Sequence, residues 1–247
     1  MAKWIEGTVV AQKTWSEGLF SLQVDCAVGA FEAGQFAKLA LPVSGALVSR
    51  PYSFVNAPRE TPCEFYYNLV PEGPLSPRLA KLEPMDVVFL APGASGTLVL
   101  RDVPDGESLW LIATGTGLGP FLSMLKTDHP WRRFQKVVLV HGVRRAAELT
   151  YRETIAAVQA RYPDQFRTVS FVSRENHPGS LAGRITGAIG EERLERAAGV
   201  ELSARASQVM LCGNPEMVTD VVEVLKTRGM RRHRRRDPGH IAVEPYW

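Results

Sequence analysis

The apolar positions keep one rhythm up to about residue 101 and another beyond it. In the first part they come in short runs, at 7–10, 19–24, 35–39, 52–55 and 64–69, parted by Gly, Pro, Asn and Asp. Short β-prone runs at such spacing predict an antiparallel barrel or sandwich. Further runs at 87–90 and 97–100 close the sheet. One helix interrupts it at 76–82, with Ser76 at the N-cap position and Pro77 at the first helical position. Residues 102–106, Asp-Val-Pro-Asp-Gly, read as a linker.

After the linker, strands and helices alternate. Strands are expected at 109–113, 137–141, 168–172 and 209–212, and helices up to Lys126, then at 146–161, 191–198 and 215–227. The run Leu109-Trp110-Leu111-Ile112-Ala113 is continuously apolar, as a strand covered on both faces is. Alternation of this kind implies right-handed crossovers and a parallel sheet. The expected architecture is an N-terminal antiparallel β-barrel over 1–101, a linker over 102–106, and a C-terminal α/β parallel-sheet domain over 107–247.

Composition narrows the chemistry. With 247 residues, 45% of them apolar, the chain can bury a sizeable core. No apolar run approaches the ~20 residues of a membrane helix. The first residues, Met1-Ala2-Lys3-Trp4-Ile5-Glu6, carry no apolar signal region, so a soluble cytoplasmic protein is expected. Cys26, Cys63 and Cys212 lie far apart, with no zinc pattern and too few thiols for an iron–sulfur cluster. Electrons carried by this protein would therefore need an organic cofactor. The net charge of +3 is gathered in the last twenty residues, where Arg231-Arg232-His233-Arg234-Arg235-Arg236 forms a basic run. Such a run is either a solvated face or a docking patch for acidic partners.

Five segments carry candidate chemistry. In Arg50-Pro51-Tyr52-Ser53, strand alternation puts Arg50 and Tyr52 on one face and Ser53 on the other. This combines a forked cation, a flat ring and a hydroxyl, although an ordinary strand with a surface Arg looks the same. Gly115-Thr116-Gly117-Leu118-Gly119-Pro120 joins a buried strand to a helix, where a phosphate can approach the backbone. Pro120 departs from the strict dinucleotide fingerprint, and a Gly-rich turn without function is the alternative. Ser173 and Arg174 end a strand and Arg184 follows, a set suited to a phosphomonoester or else two surface arginines. Finally, Cys212-Gly213-Asn214-Pro215-Glu216-Met217 ends a strand and opens the last helix. Asn214 is placed to cap that helix, and Cys212 is either beside a reacting ring or a small buried thiol. The closing Glu244-Pro245-Tyr246-Trp247 puts two aromatic residues where they pack on the protein itself or on a flat cofactor.

In order and spacing these segments, with Gly73-Pro74-Leu75-Ser76-Pro77-Arg78-Leu79, resemble the ferredoxin–NADP(+) reductase family, in particular its bacterial flavodoxin/ferredoxin reductases. The resemblance implies FAD held by the barrel and NADP(H) held by the α/β domain. It places Arg50 on the FAD pyrophosphate, Tyr52 on the flavin ring and Ser53 near flavin N5. Pro51, Tyr66, Pro74, Leu75 and Ser76 join the FAD set, and Thr116 lies where FAD and nicotinamide meet. Arg144, Ser173, Arg174 and Arg184 resemble a 2′-phosphate set. Asn214, Pro215, Glu216, Met217 and Asp220 line the remaining nucleotide channel. Glu244 and Tyr246 match the family's terminal Glu-x-Tyr, with Tyr covering the flavin, and Trp247 is expected near the FAD adenine. Ser53, Cys212, Glu244 and Tyr246 form the implied catalytic set.

The implied activity is electron exchange between NADPH and ferredoxin or flavodoxin by a monomer, with the aromatic tail as a gate and the arginine run as a candidate docking surface. A free flavin reductase or an oxygenase reductase component shares the same two domains. A nucleic-acid-binding protein using the arginine run is an alternative of another class, disfavoured by the lack of interleaved aromatics.

Overall fold

Two sheets, one antiparallel and one parallel, organise the computed structural model, which describes residues 4–245. The first sheet is built from β1 (Ile5–Ser16), β2 (Leu19–Asp25), β3 (Phe36–Val43), β4 (Ala46–Ser53), β5 (Cys63–Asn68) and β6 (Val87–Leu90). Its order is β4-β3-β6-β1-β2-β5. The two ends then meet: Phe54 bridges Phe65, and the Val55 amide donates to the Glu64 carbonyl at 2.9 Å. That contact closes the expected barrel.

The β3–β4 hairpin turns through Ser44 (φ 50°) and Gly45 (φ 83°), a pair of left-handed residues whose twist matches the flanking strands. The strand expected at 52–55 thus begins earlier, at Ala46, and Tyr52 and Ser53 are its last residues. The stretch 97–100 is not a strand. It runs extended between the sheets into a 3-10 turn at Leu100–Asp102, and Leu98 passes so close that a Cβ on Gly34 would sit 1.9 Å from the Leu98 carbonyl oxygen. The helix α1 (Ser76–Leu79) is a single turn.

The second sheet contains β7 (Ser108–Thr114), β8 (Lys136–Val143), β9 (Phe166–Val172), β10 (Ser180–Ala182), β11 (Ser207–Gly213) and β12 (Ile241–Pro245), all parallel, in the order β10-β9-β8-β7-β11-β12. Its helices are α2 (Leu118–Leu125), α3 (His129–Arg133), α4 (Arg152–Arg161), α5 (Ile185–Gly190), α6 (Arg193–Ala198) and α7 (Pro215–Thr227). The central strands β7, β8 and β11 are apolar on both faces because each face has its own core. Leu109, Leu111 and Ala113 of β7 point into one cluster with α2 and the barrel residues Val55 and Tyr66. Trp110 and Ile112 point into the other, with α5, α6 and α7.

Helix α2 is buried along its whole length between this sheet and the barrel, and Ser123 Oγ donates to the Asn56 carbonyl at 2.7 Å. Truncating Phe121 there to Ala costs ~3–5 kcal/mol by the usual core penalty. The helix expected at 146–161 is split. Residues 146–148 form a 3-10 turn, Tyr151 is left-handed (φ 54°), and α4 starts at Arg152. The cause is tertiary: Thr150 Oγ1 donates to the Tyr66 hydroxyl at 2.8 Å, and the Tyr151 hydroxyl donates to Glu64 Oε1 at 2.7 Å, both on β5. Between the sheets, Arg133 fastens residues 100–105 by donating to the carbonyls of Leu100 and Val103 and pairing with Asp105 at 2.8 Å. Among the described residues no helix is long and apolar enough to cross a membrane.

Candidate functional site

The direction of winding in the parallel sheet reverses between β7 and β11, and ligands of open α/β sheets sit outside the carboxyl ends of strands at such a point. Both strand ends carry glycines for steric reasons. A Cβ on Gly117 would lie 2.4 Å from the Cys212 carbonyl oxygen. A Cβ on Gly213 (φ 132°) would lie 2.3 Å from Thr114 Oγ1. Thr114 Oγ1 accepts from the Asn214 amide at 2.9 Å, which locks the two turns together. Gly115 differs: it is left-handed (φ 52°) with nothing within 4 Å of a Cβ, so its backbone is open to an approaching group. Thr116 follows it in the 3-10 turn that leads into α2.

Asn214 caps α7 as expected, its Oδ1 accepting from the Glu216 amide at 2.8 Å and the Met217 amide at 3.3 Å, with Pro215 in the first turn. Glu216 is exposed there, while Met217 and Asp220 are half-buried. Cys212 is fully buried in the apolar cluster that the sheet shares with the barrel.

His141, beneath this turn, was not singled out by the sequence. It is the last residue of an apolar run, paired in register with Ala113, and its Nε2 lies 3.1 Å from the Gly115 carbonyl oxygen. Burial lowers its pKa to about 4. At neutral pH the ring is uncharged, and Nε2–H donates to that carbonyl, which fixes the Gly-Thr-Gly turn from below. A lone polar residue in an otherwise apolar strand is the signal that could have found it.

The candidate phosphate set gathers at the same edge of the sheet. Arg144 follows β8, Ser173 and Arg174 follow β9, and Arg184 precedes α5 just beyond β10. The Arg174 amide donates to the Arg144 carbonyl at 2.9 Å, and the Ser173 amide and hydroxyl both donate to Val143. Arg144, Ser173, Arg174 and Arg184 are exposed, and none of the three guanidinium groups pairs with a carboxylate among the described residues. The nearby carboxylates are engaged with backbone instead. Glu148 Oε2 accepts from the Arg144 amide at 3.0 Å, and Glu175 Oε1 accepts from the Ala146 amide at 2.6 Å. A groove of about 440 Å³ adjoins this set, walled by Val172, His177 and Leu181.

On the barrel, Arg50 is exposed and its side chain donates to the Ser49 carbonyl at 2.7 Å. Pro51 pairs with Lys38 in the β3–β4 ladder. Tyr52 is half-buried, meets Tyr67 edge-on at 5.7 Å, and has its pKa raised to about 12 by burial. Ser53 is buried, on the strand face opposite Tyr52 and Phe54, which pack on the barrel core. The expected alternation of this strand therefore holds.

One residue of the FAD set sits otherwise than expected. Ser76 does not cap α1. Its hydroxyl accepts from the Val70 amide at 2.9 Å and so closes the 70–76 loop that carries Pro74 and Leu75. Tyr66 is buried in the seam between the sheets, and its hydroxyl is taken by Thr150. The Pro74 carbonyl accepts from Arg78 at 2.7 Å.

Glu244 comes to the same crevice from the other side. Strand β12, absent from the sequence reading, pairs parallel to β11 with Glu244 opposite Cys212. Glu244 Oε1 accepts from the Thr97 amide at 3.2 Å, while Oε2 is buried without a hydrogen-bond partner among the described residues. Burial raises the pKa of this carboxyl. Tyr246 and Trp247 lie outside the described residues.

The arginine run lies elsewhere. Residues 231–240 form a hairpin at the amino ends of β11 and β12, with Arg232 bridged to Ile241 and Arg234 to Asp237. It stands about 15 Å of strand away from the carboxyl edge. That position sets the run apart from the crevice.

Comparison with known proteins agrees with this geometry. Residues 111–223 match the oxidoreductase NAD-binding domain family. The chain is 46% identical over its full length to the flavodoxin/ferredoxin–NADP reductase of Escherichia coli, and 33% identical over 96% of its length to the ferredoxin–NADP reductase of Pseudomonas aeruginosa, covering 100% and 95% of those proteins. Among solved structures, a Neisseria gonorrhoeae ferredoxin–NADP(+) reductase with bound FAD and NADP superposes with a TM-score of 0.94 at 32% identity, each chain covered completely. A cytochrome P450 reductase from Amycolatopsis superposes at 0.81 with 31% identity over 98% of this chain and 69% of that one. With full-length identity at this level and both sheets in place, the chain belongs to the flavodoxin/ferredoxin–NADP reductase family.

Proposed function

We propose that this protein is an FAD-dependent oxidoreductase that moves electrons between NADPH and ferredoxin or flavodoxin. The observation that carries the reading is the meeting, at one edge of one sheet, of an open Gly-rich turn with Arg144, Arg174 and Arg184, which pair with no carboxylate among the described residues. Bound FAD supplies the exchange between hydride and single electrons, and the protein supplies binding, orientation and electrostatics.

The residues present fit both groups. Arg50, exposed and without a carboxylate partner among the described residues, is suited to the FAD pyrophosphate, with Tyr52 as the adjacent stacking surface and Ser53 on the opposite face of the same strand. Arg144, Ser173, Arg174 and Arg184 take the 2′-phosphate of NADP(H), and bidentate guanidinium contacts make that choice selective over NADH. Gly115 and Thr116 let the nucleotide reach the crevice, and Asn214, Pro215, Glu216, Met217 and Asp220 line its far side. Glu244, with one buried oxygen unpaired among the described residues and its pKa raised, is placed to hold a proton at the crevice. Tyr246 and Trp247 are assigned the flavin face and the adenine end.

The division of labour follows the sequence boundaries, with 1–101 holding FAD, 102–106 connecting and 107–247 holding NADP(H). The protein works in the cytoplasm as a monomer, which sedimentation of the purified chain at the mass of one copy checks. Likeness to the Amycolatopsis cytochrome P450 reductase supports a second reading, service to an oxygenase.

Anaerobic stopped-flow mixing of the NADPH-reduced protein with ferredoxin, flavodoxin and free flavin separates these readings. Rapid oxidation by a ferredoxin or flavodoxin supports the proposal. Oxidation by free flavin alone refutes it.

A further inference from the structure

The barrel carries a pair of thiols that the proposed electron transfer does not use. Val24 on β2 pairs directly with Cys63 on β5 in the antiparallel ladder. Cys26 lies two residues past Val24, which makes it the diagonal neighbour of Cys63 on the same face. Both belong to the barrel core cluster, Cys63 buried and Cys26 half-buried. Cys63 is the side chain that bears most on the Cys26 sulfur, and the Cys26 thiol donates to the Val24 carbonyl at 3.8 Å.

This arrangement gives the two sulfurs different roles. The hydrogen bond from Cys63 leads in drawing the Cys26 thiol below its ordinary pKa; burial opposes it, the Val28 amide adds to it and Asp25 opposes. The same contact, with burial, pushes the Cys63 thiol up. The more exposed sulfur therefore has the greater thiolate character, and the thiolate is the nucleophile. The third cysteine, Cys212, lies in a different cluster, fully buried.

We propose that Cys26 and Cys63 form a peroxide-reactive dithiol that closes reversibly to a disulfide, with Cys26 attacking and Cys63 resolving. In the first step the Cys26 thiolate attacks one oxygen of a hydroperoxide. An S–O bond forms, the O–O bond breaks, and the departing oxygen leaves as an alcohol, or as water from hydrogen peroxide. In the second step the Cys63 sulfur displaces the hydroxyl of the Cys26 sulfenic acid and water leaves. Two thiols together lose two electrons and two protons, and the hydroperoxide is reduced. A small-molecule dithiol reverses the change. The new bond would tie the end of β2 to the start of β5 and enclose β3 and β4, so the strand carrying Arg50 to Ser53 would sit within a covalent loop.

The test is peroxide titration of the purified wild-type protein, followed by alkylation, proteolysis and mass spectrometry. The expected product is a Cys26–Cys63 linked peptide pair that dithiothreitol restores to two alkylatable thiols, with Cys212 unmodified throughout. In Cys63→Ala, dimedone should trap a sulfenic acid at Cys26, whereas Cys26→Ser should give no adduct at Cys63. Far-ultraviolet circular dichroism checks that both variants are folded, and the wild-type arm decides if they are not. The proposal is overturned if Cys26 passes to the sulfinic acid while Cys63 stays alkylatable. It is equally overturned if neither thiol reacts at a peroxide concentration that oxidises free cysteine.

Discussion

Arginines cluster at both edges of the parallel sheet, and the two clusters differ in what surrounds them. At the carboxyl edge, Arg144, Arg174 and Arg184 are spread over three connections, beside an open glycine turn and a buried carboxylate. At the amino edge, Arg231 to Arg236 are contiguous in one exposed hairpin, and Arg231 is already paired with Asp237 at 3.0 Å. The amino-edge run is the more conspicuous in sequence, but topology puts the nucleotide crevice at the other edge. Charge density along a chain therefore says less about function than the strand end at which a charge emerges.

The largest effect should come from Arg174→Ala combined with Arg184→Ala. Each charge-assisted hydrogen bond is worth ~1.5–3 kcal/mol, so KM for NADPH should rise about 100-fold or more in steady-state assays while NADH is little affected. Next is His141, beneath the same edge. Its folded-state pKa of about 4 is below the ordinary 6.5. The unfolded chain binds the proton first, so stability is lost as pH falls from 6.5 towards 4, by about 3 kcal/mol. His141→Gln should flatten that acid limb in denaturant titrations, and an unchanged limb would contradict the neutral-donor assignment.

Glu244 has the opposite sign. Burial holds its pKa above the ordinary carboxylate value, so the wild type loses stability as pH rises past that value. Glu244→Gln should raise Tm at neutral pH, and the gain should vanish in acid. The smallest effect is assigned to the other edge. Replacing Arg234, Arg235 and Arg236 together by Ala should change NADPH kinetics and carrier reduction by less than about twofold, as exposed charges usually do. A large loss of carrier reduction would identify the hairpin as a docking surface.

Much of this was legible in the sequence where local pattern and final environment agree. The central parallel strands β7, β8 and β11 read correctly because each is apolar on both faces, and Asn214 read as a cap because its partners are two and three residues away. What failed depended on distant partners. The start of α4 is set by Thr150 and Tyr151 reaching β5, contacts 84 and 87 residues apart in the chain. Ser76 looked like a cap but is drawn back to Val70. Pro42 and Pro51 hid the β3–β4 hairpin, whose turn chemistry lies in Ser44-Gly45. Glu244 was singled out, but its contact with Thr97 spans 147 residues and no local pattern shows it.

The most direct test is the ratio of kcat/KM for NADPH over NADH, measured on the wild type, on Arg174→Ala/Arg184→Ala and on the triple hairpin variant. The wild type and the hairpin variant should share a strong preference for NADPH, and the carboxyl-edge variant should lose it. An unchanged preference in the carboxyl-edge variant, or a loss in the hairpin variant, would contradict the assignment of the nucleotide phosphate to Arg174 and Arg184.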